Sequence, residues 1–142
     1  MSIPPSSVRR LLRHFAASEP LRLRISGVCM EPAIPDGALV TIARKRLYWP
    51  GDVLVFSADD GRLTAHRLVG ACRCRGRFRL FTRADNAPKL DRAILPCDVV
   101  GHVVGGESRS LVTRIPFARR LDAFGFFLRC GFMRLFTHKS QP

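Results

Sequence analysis

The chain has 142 residues, which is enough for one domain with a single hydrophobic core but too few for two. Its hydrophobic content of 46% excludes a disordered chain, and an odd number of cysteines, five, excludes a complete set of intrachain disulfides. The net charge is +13, with arginine at 21 of the 24 basic positions, which favours attraction to nucleic acid, an anionic membrane surface or an acidic peptide.

The N-terminal segment MSIPPSSVRRLLRHF lacks the apolar stretch of a signal peptide. No apolar run in the sequence approaches the roughly 20 residues that span a bilayer. These features predict a cytoplasmic protein in a reducing compartment, with its cysteines free or metal-bound. We expect no cofactor and no metal.

The predicted elements begin with a short basic helix from Val8 to Phe15. The segment LRLRIS then alternates apolar and basic residues with the period of two that is typical of a strand. Further strand candidates are GALVTIARK, GDVLVFSA, a pair within RLTAHRLVGACRCRGRFRLFTR that turns near Gly76, and DVVGHVVG. Many short strands separated by Gly and Pro predict a mainly β, antiparallel, barrel-like fold.

The C-terminal segment changes to helical periodicity. The apolar residues at helical spacing are Phe117, Leu121, Phe124, Leu128 and Leu135. This pattern, with arginines between, predicts an amphipathic basic helix, which either lies on the inner membrane surface or covers the β domain. The predicted organisation is therefore a basic segment (1–20), a β domain (21–108) and an amphipathic helix (109–142).

Cys29 lies in the stretch RISGVCMEPAIPDG, where a strand candidate runs into a turn. A lone cysteine is usually an inert core residue, but the glycine before it and the turn after Pro32 bring backbone close to an acyl substrate. His66, in TAHRL, is a candidate base, because an imidazole of ordinary pKa can take a thiol proton near neutrality. Asp85 and Asp91, in TRADNAPKLD, are candidates for orienting the ring.

The blocks SGVCMEP, PDGALV, WPGDVLVF, TAHRLV, FTRADNAPKLD and DVVGHVVG resemble, in this order, the type I signal peptidase family, which is related to the self-cleaving repressor peptidases. The resemblance extends from Arg22 to Gly105. It implies a mostly β peptidase core with Cys29 at the nucleophile position, where the family has serine. His66 followed by Arg67 is similar to the archaeal and endoplasmic-reticulum branch, which uses a histidine base instead of lysine.

The resemblance also implies roles for other residues. Asp85 matches the acid of the family's Gly-Asp-Asn block, with Asp91 as the second candidate and Ala84 in place of the glycine. The main-chain N–H groups from Gly27 to Cys29, and above all that of Cys29, are the expected hydrogen-bond donors to the oxyanion. The expected substrate-binding residues are Gly27, Val28, Met30 and Pro32. The implied substrate is a precursor or leader peptide with small side chains at the first and third positions before the scissile bond.

Three other interpretations stay open. A catalytically silent relative would bind the same peptides without cleaving them. The arginine-rich hairpin at 73–79 and the high charge suggest a nucleic-acid-binding β module, but a general arginine bias explains the charge equally well, and no helix-turn-helix or zinc-finger pattern is present. Metal binding by Cys72, Cys74, Cys97 and His102 lacks the usual ligand spacing.

Overall fold

The computed structural model describes residues 5–57, 62–74, 76–107 and 110–137, with side chains described within 7–57, 62–73, 76–107 and 112–130. The side chains of Cys74 and Leu135, which entered the sequence predictions, lie outside these ranges. The elements are helix α1 (Pro5–Ser18), strands β1 (Leu21–Arg24), β2 (Leu39–Ala43), β3 (Val53–Ser57), β4 (Leu63–Cys74), β5 (Arg77–Arg83) and β6 (Val99–Gly106), and helices α2 (Ser110–Thr113) and α3 (Phe117–Thr137).

The six strands form one antiparallel sheet in the order β1-β2-β6-β3-β4-β5. The prediction of a mainly β, antiparallel fold with a helix at each end is confirmed. Within the described residues β1 and β5 are the edges of the sheet, so the sheet is open and "barrel-like" describes it only loosely. The outer edge of β5 is partly covered by a bridge between Leu80 and Ile94.

Both faces of the sheet are buried at its centre, because β3 is the unbroken apolar run VLVF. Successive side chains of a strand point to opposite faces. Val53 and Val55 therefore join a first cluster, and Leu54 and Phe56 join a second. The first cluster also includes Ala16, Ile25, Met30, Ile34, Val40, Ile42, Ala65 and Val103. The second also includes Leu68, Leu80 and Val99.

The two terminal helices pack on the sheet by different means. α1 contributes Ala16 to the first cluster, and Arg9 pairs with Asp98 at 2.7 Å between Nη1 and Oδ1. α3 lies against β4 and β5, where Phe127 stacks on Phe81 with ring centroids 5.2 Å apart. Within the described residues, neither helix has both the length and the apolar character required to cross a bilayer.

Candidate active site

The candidate site lies at the corner of the sheet where β5 ends. β4 carries His66 and Arg67 as neighbours, so their side chains point to opposite faces. Arg83, the last residue of β5, pairs with Arg67 of β4. His66 therefore lies on the part of β4 that extends beyond the end of β5. The turn that follows β5 carries Asp85 at this corner.

Asp91 is the carboxylate that lies against the predicted base. His66 Nδ1 is 2.6 Å from Asp91 Oδ2, and Thr82 Oγ1 donates to the same oxygen at 2.7 Å. The Asp91 N–H also donates to the Thr82 carbonyl at 2.9 Å, because the chain returns along the outer edge of β5. A carboxylate on Nδ1 favours the tautomer with its proton there, and Nε2 is then the nitrogen that can accept a proton.

Asp85, the first choice for orienting His66, forms a different pair. Its two carboxylate oxygens accept hydrogen bonds from Arg67 Nε and Nη2 at 2.7 and 2.6 Å. Arg67 Nη1 also donates to the carbonyl of Gly51 at 2.8 Å. The preference for Asp85 as the residue that orients the imidazole was therefore wrong: the buried guanidinium, on the face opposite His66, holds this carboxylate.

The Cys29 loop is attached to the same corner through Asn86. Asn86 Nδ2 donates to the carbonyl of Val28 at 2.6 Å, and the Asn86 N–H donates to the carbonyl of Cys29 at 3.3 Å. Gly27 has a φ of 109°, in the region that favours glycine, and its N–H donates to Asp36 Oδ1 at 2.7 Å. This hydrogen bond corrects the expectation that the Gly27 N–H joins the oxyanion donors.

The electrostatics of the corner act on the Cys29 thiol. Burial raises the pKa of Cys29, its own main-chain N–H and that of Met30 lower it, and the carboxylates of Asp91 and Asp85 raise it further. The net shift is upward, so the resting thiol is neutral at neutral pH. The charge on Asp91 thus acts on the thiol, while the same carboxylate holds the imidazole.

The thiol of Cys29 and the imidazole of His66 pack against different hydrophobic clusters. Cys29, half-buried, packs against the first cluster, whereas the ring of His66 makes an edge contact with Phe56 of the second cluster at 6.0 Å between centroids. The structure therefore joins His66 to Asp91 directly, and brings Cys29 to the corner by way of Asn86.

The remaining predicted substrate-binding residues have different surroundings. Val28 is exposed at the tip of the loop. Met30 is fully buried in the first cluster, so the expectation that it shapes a substrate pocket was wrong, and it supports the loop from beneath. Pro32 lines a cleft of about 440 Å³ between the loop and α3, where Arg83 lies over the ring of Phe126 at 4.3 Å.

Sequence reasoning missed Thr82 and Asn86. Thr82 is fully buried and shares the Asp91 oxygen with His66. Its position next to Phe81 in the strand pattern was only a weak indication of a role in the site. Asn86 was visible within the ADN block, but its role depends on a side-chain contact with a loop 58 residues earlier in the chain. Neither contact follows from local periodicity.

The residues considered for metal binding lie on separate elements. Cys72 lies on β4, Cys97 on the turn before β6 and His102 on β6, where its Nδ1 is 2.8 Å from the Ala43 carbonyl. Burial, followed by the charge of Lys45, lowers the pKa of His102. Among the described side chains, no group of three or more potential metal ligands comes together.

The fold agrees with a comparison against protein families. The model for the peptidase S24-like family matches residues 9–104, and the chain therefore belongs to that family. A comparison with curated proteins finds no match. Membership supports a hydrolase of the peptidase type at the level of the family, and the matched segment contains Cys29, His66, Asp85 and Asp91.

Proposed function

We propose that the protein is an endopeptidase that cleaves a leader or signal-like peptide, with Cys29 as the nucleophile and His66 as the general base. The observation that carries this proposal is the position of Asp91. Its carboxylate lies 2.6 Å from His66 Nδ1, and its charge adds to the effect of burial, the main cause, in raising the pKa of the Cys29 thiol. One carboxylate therefore interacts with both members of the proposed dyad.

The proposed reaction begins with the neutral thiol. His66 Nε2 takes the proton from Cys29 Sγ as the sulfur adds to the scissile carbonyl carbon, and the Cys29 N–H stabilises the resulting oxyanion. His66 then gives the proton to the leaving amine, the C–N bond breaks, and water hydrolyses the thioester. Asp91 holds the ring and stabilises its protonated form. Because burial disfavours the thiolate, proton transfer accompanies the attack instead of preceding it.

Asp85 acts in this proposal as a positioning residue. It holds the guanidinium of Arg67 on the face of β4 opposite His66, and Asn86, the next residue, holds the carbonyls of Val28 and Cys29. The loop that carries the thiol is thus connected to the strand that carries the base. The cleft at Pro32 is the proposed path of the substrate strand.

Cleavage assays with defined variants test the nucleophile. The probe is a mixture of synthetic peptides that carry alanine at the first and third positions before the scissile bond, with products identified by mass spectrometry. We expect Cys29→Ala and His66→Gln to lower kcat/KM by about a hundredfold or more, as loss of a nucleophile or a general base does. Cys29→Ser should keep part of the activity. Undiminished cleavage by Cys29→Ala would exclude the cysteine mechanism.

Alkylation of Cys29 by iodoacetamide tests whether the base reaches the thiol. We expect His66→Gln to slow alkylation near neutral pH and to leave the rate at high pH unchanged, where hydroxide ionises the thiol without help. Peptide mapping assigns the label to Cys29 rather than to another cysteine. Superimposable pH profiles for the two proteins would contradict the dyad.

A catalytically silent, peptide-binding relative is the second candidate, and the raised pKa of Cys29 favours it. Such a protein would bind the same peptides with equal affinity before and after Cys29→Ala, and would release no product. Fluorescence anisotropy of labelled peptides, measured beside the cleavage assay, separates the two functions.

A further inference from the structure

α3 presents an apolar stripe to solvent. The side chains of Phe117, Leu121, Phe124 and Leu128 are between 42% and 74% exposed. Their spacing of four, three and four places them within about 60° of arc on an α-helix. The helix packs on the sheet with a different face, which carries Ala123 and Phe127. The stripe is therefore not part of the contact between α3 and the domain.

A second element exposes apolar side chains beside α3. The loop between β2 and β3 carries Leu47 and Trp49, which are 56% and 58% exposed. Arg46, in the same loop, is also exposed. A loop that combines an exposed tryptophan, a leucine and a cation has the composition of a segment at a membrane–water interface.

The buried carboxylate of Asp52 connects this loop to α3. Asp52 Oδ2 accepts hydrogen bonds from the Trp49 N–H at 2.8 Å and from Lys45 Nζ at 2.5 Å. On the other side, Arg120 Nη1 of α3 donates to Asp52 Oδ1 at 3.2 Å and to the carbonyl of Pro50 at 3.0 Å. Arg120 precedes Leu121 of the stripe. The loop and the helix that carries the stripe are therefore joined through Asp52 and Pro50, and the exposed residues of both are called here the α3–Trp49 surface.

We propose that the α3–Trp49 surface docks on an anionic lipid bilayer. The net charge of +13, the exposed Arg46 of the loop and the exposed Arg129 of α3 are complementary to anionic headgroups. An interfacial helix buries its apolar face at the boundary of headgroups and acyl chains while its cations stay in the headgroup layer. α3 lies outside the segment matched by the family, and the inference does not depend on the proposed peptidase chemistry.

α1 is the rival for this role, because it also exposes Val8, Leu11 and Phe15 among basic residues. Two of its arginines, however, are bound to the protein. Arg9 pairs with Asp98, and Arg13 Nη1 donates to the carbonyl of Cys97. α1 also has no second exposed aromatic loop attached to it among the contacts described. These differences favour α3, and the experiment separates the two helices.

Trp49 is the single tryptophan of the chain and reports directly on its own surroundings. We expect its fluorescence emission to shift to shorter wavelength, and its quenching by acrylamide to fall, when the full-length protein meets vesicles of phosphatidylcholine and phosphatidylglycerol. Added salt should weaken this response because the attraction to the headgroups is screened. An unchanged emission spectrum at saturating vesicle concentration would overturn the proposal.

Vesicle sedimentation with matched variants tests which residues insert. We expect the double variant Leu121→Ser, Leu128→Ser to bind anionic vesicles about tenfold more weakly, since binding scales with the apolar area buried. Trp49→Ser should weaken binding to a smaller extent. Phe78→Ser, on β5 at 51% exposure, and Leu11→Ser, on α1, should bind as the unmodified protein does. Unchanged urea midpoints show that the variants are folded.

Two results of the sedimentation experiment contradict the proposal. The first is loss of binding in Leu11→Ser with full binding in the α3 double variant, which would assign the surface to α1. The second is a dimer in sedimentation velocity that the α3 double variant abolishes, with no vesicle binding by either protein. That result would make a second copy of the chain the occupant.

Discussion

At the scale of single residues, Asp91 has opposite consequences for its two neighbours. Its carboxylate is hydrogen-bonded to His66, the proposed base, but its charge adds to the effect of burial, the main cause, in raising the pKa of the Cys29 thiol. A site of this kind keeps its thiol protected from alkylation and oxidation at rest. In the proposed reaction, such a thiol depends on the base at the moment of attack.

Asp91→Asn separates these two effects. Removing the negative charge lowers the pKa of Cys29, so the thiolate fraction at pH 7 increases and alkylation by iodoacetamide becomes faster. Peptide cleavage should fall by about tenfold to a thousandfold because the imidazole loses its orienting carboxylate. Quenched time courses of alkylation between neutral and alkaline pH measure the change in thiol reactivity, and the peptide assay measures the change in cleavage.

The control for Asp91→Asn is Asp122→Asn, which removes an exposed carboxylate on α3. This variant should leave the alkylation profile of Cys29 unchanged. An alkylation profile in Asp91→Asn identical to that of the unmodified protein would mean that the charge does not act on the thiol.

Arg67 is the second residue that supports the corner, through its two hydrogen bonds to Asp85 and one to Gly51. Arg67→Ala leaves a largely buried carboxylate without its partner and should lower the free energy of unfolding by about 3–5 kcal/mol. Arg67→Lys keeps the charge but loses the planar two-pronged contact, so its loss should be smaller. Urea denaturation measures both, with exposed Arg73→Ala on the same strand as the control.

At the scale of elements, local pattern was sufficient for the strands and insufficient for the site. The alternation in LRLRIS and the hairpin around Gly76 correspond to β1 and to the β4–β5 pair, and the apolar run VLVF became the doubly buried β3. α2 was missed, because four residues are too few for helical periodicity to be visible.

The contacts of the site depend on pairings that no periodicity encodes. Asp91 reaches His66 because the segment after β5 turns back along its outer edge, where Leu80 bridges Ile94. Sequence spacing gave two candidate carboxylates and no means to choose between them. Likewise, closure of the sheet depends on whether its edge strands meet, and strand patterns describe the strands only.

The contact between α3 and β4 makes a further prediction at this scale. A Cβ added to Gly70 would lie 2.5 Å from the ring of Phe127, so Gly70→Ala should displace the helix and lower the free energy of unfolding by about 1–3 kcal/mol. Gly125 of α3 has open space around it, and Gly125→Ala should instead stabilise the helix by up to about 1 kcal/mol. Hydrogen exchange of the α3 amides distinguishes a displaced helix from a general loss of stability.

At the scale of the whole molecule, α3 has two faces with separate roles. One face covers the sheet with Phe127 and holds Asp52 through Arg120, while the other carries the exposed stripe. The sequence offered membrane binding and coverage of the domain as alternatives. The packing of α3 on the sheet supports coverage of the domain directly, and the exposed stripe is available for membrane binding on the same helix.

A chain that stops at Thr113 should therefore lose two properties at once. The free energy of unfolding should fall by about 3 kcal/mol or more, as expected when a packed phenylalanine is removed and the Asp52 carboxylate loses one of its cations. Binding to anionic vesicles should also disappear.

The double variant Leu121→Ser, Leu128→Ser should lose only vesicle binding and keep its urea midpoint, because its substitutions leave Phe127 and Arg120 in place. If the double variant were as unstable as the shortened chain, the stripe would belong to the domain contact; if the shortened chain still bound vesicles, the lipid-binding surface would lie elsewhere on the molecule.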